Sequence, residues 1–350
     1  MLELWDEADP FAAVADYLDG EGFFAGARAD AVAEVFFSYR ISERFRRVDR
    51  SPPPEPCPLP LAACRIRPPR EAEARGSFAL GEWEATWTPG EYAAAVEAVK
   101  AAIARGDVYQ VNLVQHLSAS FEGDPRRLAE ALASLGPLHA RPFTGDGWGI
   151  VSGSPELFLS RRGDRLVTMP IKGTRPAGAK GLRASAKDAA EHVMIVDLER
   201  NDLSRVCVPG TVRWPELMAE RPLAGVRHLV STVTGTLRAG VAFADILWAT
   251  FPGGSITGAP KISAIDHIAA LEPVGRGASM GALGRIHPNG DFELALTIRT
   301  LAVAEGRIHF WVGGGIVWDS DPEAEIEESW VKARPVLAAL GSRIRAAVSA

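Results

Sequence analysis

Apolar and polar positions alternate most legibly over residues 152–175, SGSPELFLSRRGDRLVTMPIKGTR. Two short apolar runs, 157–160 and 166–169, flank Arg162-Gly163-Asp164-Arg165. Gly and Asp are turn formers, so the pattern predicts a β-hairpin. With the turn centred on Gly163 and Asp164, Glu156 falls opposite Ile171 or Lys172, and directly opposed side chains lie roughly 5 Å apart at Cβ. The hairpin then carries an acid and an amine to one open end, with Gly173-Thr174-Arg175 following at once. A weak ion pair at the rim of a sheet is the simplest outcome for such residues.

Elsewhere the pattern alternates between the two periods. Thr88-Pro89-Gly90-Glu91 supplies a cap, a first-turn proline and a capping-box carboxylate for a helix that ends at Gly106. Residues 107–118, DVYQVNLVQHLS, read as a strand with Val108, Gln110, Asn112, Val114 and His116 on one face. If that face is buried, its two amides need partners. A helix is predicted over 185–200, opened by Ser185 and Asp188, then a strand over 227–237 and a helix over 244–250 that leads into FPGGSITGAPK. Residues 292–304 and 307–312 form a second hairpin around Glu305-Gly306, setting Arg299 opposite Val312 or Gly313. Asp321-Pro322 starts a last, acidic helix that Pro335 is expected to break or kink. Strands and helices in this mixture predict an α+β fold built on antiparallel sheet. The Pro-dense stretch 51–60 marks a boundary between a reduced N-terminal segment, 1–75, and a catalytic domain, 76–350.

Composition narrows the partners. With 350 residues, 47% hydrophobic and 23% charged, the chain can bury a sizeable core. A net charge of -6 and the lack of any basic run interleaved with aromatics argue against nucleic acid. No apolar run is long enough to span a bilayer, and the acidic start MLELWDEADP is unlike a signal peptide, so a cytoplasmic protein without membrane attachment is expected. Cys57, Cys64 and Cys207 are odd in number and lack CxxC spacing, which fits reduced thiols. The seven histidines form no metal-binding spacing, so any metal would take oxygen ligands.

Carboxylates recur three residues apart on two helices, as Asp188 with Glu191 and as Glu325 with Glu328. The field of a helix N-terminus explains Glu323 but fades before Glu328, which could instead pair with Lys332 four residues on. Facing helices of this kind could hold a hard cation, and Mg²⁺ suits a few carboxylates completed by waters and an anionic substrate. Gly253 and Gly258 have the spacing of a phosphate loop, but Ala259-Pro260 stand where such a loop needs Lys-Ser/Thr. In Gly313-Gly314-Gly315 the backbone can approach a ligand or simply end a strand tightly, and Arg299 beside it is a natural fork for a carboxylate.

In order along the chain, SPELFL, PIKGTRPAG, KDAAEHVMIVDLERNDL, HLVSTVTGTL, FPGGSITGAPK, IRT, GGGIVWDSDPEAE and EES make residues 88–340 resemble the chorismate-utilising enzymes. The resemblance implies a large antiparallel αβ sandwich that binds chorismate, with Mg²⁺ held by Glu191 and Glu328 and with Asp188 and Glu325 nearby. It implies that Arg299, the backbone of Gly313, Gly314 and Gly315, and Gly173-Thr174-Arg175 hold the substrate and its side-chain carboxylate. Lys172 would attack ring carbon 2 as the hydroxyl at carbon 4 leaves, Glu156 would protonate that hydroxyl, and ammonia would displace the lysine through carbon 4. His228 matches a histidine near the ring. A lysine ordinarily titrates near ~10.4, so the pocket must favour its neutral form. Because that chemistry needs both groups neutral, Glu156 and Lys172 are expected to share a proton at rest.

Two positions select a branch of the resemblance. Lys172 in PIKGT is similar to the aminodeoxychorismate synthases, whereas anthranilate synthases look like PIAGT; Gln110 stands where members that add water carry a lysine base. Both imply amination toward 4-aminobenzoate and folate. An anthranilate synthase component or a non-catalytic chorismate-binding subunit are the alternatives. Ser279 departs from an aromatic that contacts substrate in the family, and Arg285 replaces another. The N-terminal part is shorter than in most members, which puts a tryptophan site in question. No amidotransferase segment is visible, so ammonia is expected from a partner glutaminase subunit, with free ammonium as a substitute.

Overall fold

The computed structural model describes residues 1–25, 31–67, 76–176, 186–223 and 226–342. Two large antiparallel sheets carry the fold. The first has ten strands, in the spatial order Leu2–Leu4, Ala62–Arg67, Val32–Phe37, Ala282–Ile286, Phe292–Leu296, Leu157–Arg162, Arg165–Met169, Val226–Thr236 and Ile171–Pro176, with Arg213–Leu223 also on Val226–Thr236. The second has eight: Gly258–Ala259, Gln110–Gly123, Arg307–Ile316, Thr300–Ala304, Trp148–Ser152 and Phe143–Thr144, with Phe78–Leu80 and Glu84–Ala85 also on Gln110–Gly123. The expected α+β class holds.

Local signals produced the expected elements where the chemistry is local. The helix Pro89–Arg105 is closed by the capping box, Glu91 N–H donating to Thr88 Oγ1 at 3.3 Å and Thr88 N–H to Glu91 Oε2 at 2.8 Å. Gly106 ends it at φ 81, a left-handed position that glycine takes without strain. The cap expected at Ser185 lies outside the described residues, and the helix that follows is Ala186–Ser204. Strand Gln110–Gly123 is buried on both faces over its first half, with Val111 and Leu113 as sealed as Gln110 and Asn112. It pairs with Arg307–Ile316 from Arg307↔Ser120 to Ile316↔Val111.

Two expectations are corrected. Residues 292–304 are not one strand: Phe292–Leu296 lies in the first sheet and Thr300–Ala304 in the second. Arg299 sits in the crossing at φ 49, a conformation an extended strand cannot continue through. Pro335 does not end its helix, which runs Pro322–Ala339 with the proline inside. The N-terminal segment packs directly on the rest of the chain. Val32–Phe37 pairs directly with Ala282–Ile286, and the Phe11 ring meets Phe37 at 4.9 Å and Phe251 at 5.5 Å between centroids. Cys57, Cys64 and Cys207 are buried and unbridged. No helix among the described residues is long and apolar enough to cross a membrane.

Candidate active site

The hairpin forms with its turn at Gly163 and Asp164, pairing Arg162 with Arg165 and Leu157 with Met169 across a bulge. Beyond Met169 the chain leaves this ladder. Ile171–Pro176 pairs instead with Val226–Thr236, Lys172 opposite Leu229. This parting corrects the expected pair. Glu156 accepts a hydrogen bond from Ile171 N–H at 3.3 Å, while Lys172 Nζ turns to Glu191 Oε1 at 2.9 Å and donates to Ser255 O at 3.0 Å. Glu156 and Lys172 remain neighbours, but the ion pair of the lysine is with Glu191.

Burial and charge set the state of each group. Glu156 is sealed from water, which pushes its carboxyl up to about 7; the Ser255 hydroxyl, Ile171 N–H, Lys172 and Arg299 only partly offset this. Glu191 is also buried, which works to raise it, yet the Lys172 ammonium beside it holds it below the usual carboxylate range. Gln110 Nε2 donates to the same Glu191 oxygen at 2.7 Å. His228 is pushed down to about 4, chiefly by burial, so its ring is neutral near neutral pH. Its Nδ1 faces Gly173 O at 2.8 Å and so carries the proton, leaving Nε2 to accept from Arg299 Nη2 at 3.3 Å. Arg299 Nη1 is buried without a partner.

Glu156, Lys172, Glu191, His228 and Arg299 line one cavity, together with Asn112, Ser255, Ile256, Met280, Trp311, Gly313, Gly315, Glu328 and Lys332. The former phosphate-loop candidate forms part of its wall. That loop is tied down by Gly254 N–H donating to the buried Glu199 at 2.9 Å and by Lys261, which binds Asp202 and Thr250 O. Gly315 is required by space: a Cβ there would lie 1.9 Å from Gln110 Nε2 and 2.7 Å from Glu191 Oε1. At Gly314 a Cβ would meet Glu325 Oε2 at 3.4 Å and Glu328 Oε1 at 3.5 Å.

Of the residues singled out in the sequence, Glu156, Lys172, Gly173, Glu191, His228, Arg299, Gly313, Gly315 and Glu328 come together on this wall. Gln110 reaches it through Glu191. Glu325 is buried behind it, accepting from Ser320 Oγ at 2.6 Å. The side chains of Thr174, Arg175 and Asp188 lie outside the described residues. Ser279 is fully buried, its hydroxyl 3.4 Å from Thr297 O, and the neighbouring Met280 lines the cavity in its place. Arg285 is remote, paired with Glu293 on the surface. Lys332 had been read only as an ion-pair partner; it binds Glu328 at 2.7 Å and Gly313 O at 3.0 Å at the cavity edge. Asn112 and Met280 were missed as site residues, and only the strand alternation at Asn112 held a signal.

Among the described residues no group of three or more His, Cys, Asp or Glu side chains is placed to hold a metal. Glu191 and Glu328 do line one cavity, each balanced by a lysine, and two carboxylates with substrate and water oxygens are a donor set that suits Mg²⁺.

The model of the chorismate binding enzyme family matches residues 40–338. Aminodeoxychorismate synthase component 1 of Salmonella typhimurium is 42% identical over 280 residues, 77% of this chain and 62% of that protein. Anthranilate synthase component 1 of Streptomyces coelicolor is 38% identical over 328 residues, 89% of this chain and 60% of that protein. The chain thus spans about three fifths of the length of these curated relatives. Anthranilate synthase component I from Streptococcus pneumoniae, a crystal structure, superposes with a TM-score of 0.77 at 25% identity, over 88% of this chain and 80% of that one.

Proposed function

Because this chain belongs to the chorismate binding enzyme family, we propose that it aminates chorismate, as the component of an aminodeoxychorismate synthase that carries the ring chemistry. The observation that carries the choice is Lys172: it places an amine on the cavity wall next to Glu156, a carboxyl that burial keeps protonated up to about pH 7. An acid and a nucleophile side by side suit displacement of a ring hydroxyl. Glu156 donates its proton to the hydroxyl leaving carbon 4 while the Lys172 amine attacks carbon 2. Lys172 is ion-paired with Glu191 at 2.9 Å in the resting site, and it attacks as the free amine once its proton has left to solvent. Ammonia then adds at carbon 4, the lysine leaves carbon 2, and 4-amino-4-deoxychorismate is released.

The remaining groups bind and orient. Arg299 offers an unpartnered guanidinium nitrogen to a substrate carboxylate, and neutral His228 braces that guanidinium against Gly173. Mg²⁺ held by Glu191 and Glu328 would neutralise the ring carboxylate. Ammonia is supplied by a partner glutaminase. The test is a coupled assay: chorismate, Mg²⁺ and ammonium with a lyase that makes 4-aminobenzoate. Product should form with ammonium and not with glutamine alone; glutamine hydrolysis by the isolated chain would contradict the partner.

An anthranilate synthase is the second reading, favoured by the similarity to the Streptomyces coelicolor protein over 89% of this chain. It would make anthranilate and pyruvate from the same reactants, with or without Lys172.

A further inference from the structure

Asn112 lies two residues beyond Gln110 on the same face of its strand, lines the cavity, and is only 6% exposed. Its backbone is clamped: its N–H donates to Thr257 O at 2.8 Å and its carbonyl accepts from the buried Arg276 at 2.6 Å. The other amide donors of this strand are paired, Gln110 Nε2 with Glu191 at 2.7 Å and Gln115 Nε2 with Ser329 Oγ at 2.6 Å, although Gln110 Oε1 lacks a donor. Asn112 Nδ2 is the amide donor of this strand sealed from solvent with no acceptor. A buried donor left unmade is costly, and an apolar residue of the same size would avoid the cost.

Arg299 Nη1 is a second unpartnered donor at the same cavity. The two approach it from different elements. Asn112 stands on Gln110–Gly123, paired with Gly315, whereas Arg299 lies in the crossing between Phe292–Leu296 and Thr300–Ala304, against His228. Donors so placed suit a ligand with more than one oxygen acceptor. An arginine fork takes a carboxylate; an amide N–H₂ only donates, so its partner is an acceptor oxygen.

We infer that Asn112 contacts the substrate directly, donating its amide to an oxygen of chorismate other than the carboxylate that Arg299 takes, and so helps to select this ligand. The inference rests on the chorismate reading above. Its test is direct titration of chorismate with Mg²⁺ and without ammonium, in the unsubstituted chain, Asn112→Leu and Asn112→Asp, with thermal unfolding of each. Both variants should bind roughly ten- to hundredfold more weakly, the loss expected for a hydrogen bond to a charged acceptor. The unliganded Leu variant should unfold at the same or a higher temperature, since it no longer buries an unmade donor. Unchanged binding by Asn112→Leu overturns the assignment. So does a clearly lower unfolding temperature, which would mean that the amide already has a structural partner. If the unsubstituted chain binds no chorismate, the substrate reading fails first.

Discussion

Replacing Glu156 by Gln isolates the cost of keeping an acid in a dry cavity. The carboxyl rises from 4.5 to about 7, mainly through burial, and it is fully enclosed. At ~1.4 kcal/mol per pH unit, ionising it in the folded protein costs about 3 kcal/mol. Below the unfolded value of 4.5 both states hold the proton and nothing is lost. Between 4.5 and about 7 the unfolded chain ionises while the folded one does not, so stability falls as pH rises. Above about 7 the full cost is present. Gln keeps the shape and the acceptor for Ile171 N–H but never ionises. Glu156→Gln should therefore match the parent near pH ~4 and exceed it by about 3 kcal/mol near pH ~8 in urea unfolding. It should also lose roughly 10²–10⁴ in kcat, the contribution expected of a general acid. An unchanged stability difference across that range would mean that Glu156 is ionised at neutral pH, and its role as proton donor would be refuted.

Lys172→Ala strips the mostly buried Glu191 of its ion-pair partner and leaves the Gln110 amide and the charge of Lys332. It should abolish turnover and cost about 3 kcal/mol in urea unfolding at neutral pH. Glu191 is held low at present, so its stabilisation exists above the unfolded carboxylate range and is lost as pH falls; that acid-side loss should shrink in the variant. Gly315→Ala drives a methyl into Gln110 and Glu191 and should lower kcat/KM roughly hundredfold in steady-state assays. Glu272→Ala leaves the fully buried Arg276 without its carboxylate, 2.6 Å away, and should destabilise by about 3–5 kcal/mol in the same unfolding measurement. A loss under about 1 kcal/mol would mean that water reaches that pair.

What could be read in the chain was local or carried by motif order. The Gly163-Asp164 turn and the Thr88 capping box each depend on a few adjacent residues, and both formed. The motifs brought Glu156, Lys172, Glu191, His228 and Arg299 onto one wall. Long-range choices were not legible. Lys172 leaves Glu156 because its strand finds Val226–Thr236, some sixty residues on, and a helix then presents Glu191. The passage of the chain between sheets at Arg299 needs a positive φ that apolar alternation does not encode. Ser279 lies off the cavity wall because a one-residue offset in a tight segment turns Met280 to the cavity instead. Asn112 was flagged only as an amide in need of a partner, and the structure leaves that need unmet.

The most direct measurement of the proposed chemistry is where the nitrogen goes. Chorismate and Mg²⁺ are incubated with isotopically labelled ammonium, and the product is examined by mass spectrometry and NMR. Label on ring carbon 4, with the enolpyruvyl group retained and no product from Lys172→Ala, is the outcome the site predicts. Label on ring carbon 2 with pyruvate released, in a reaction that survives loss of Lys172, would contradict it.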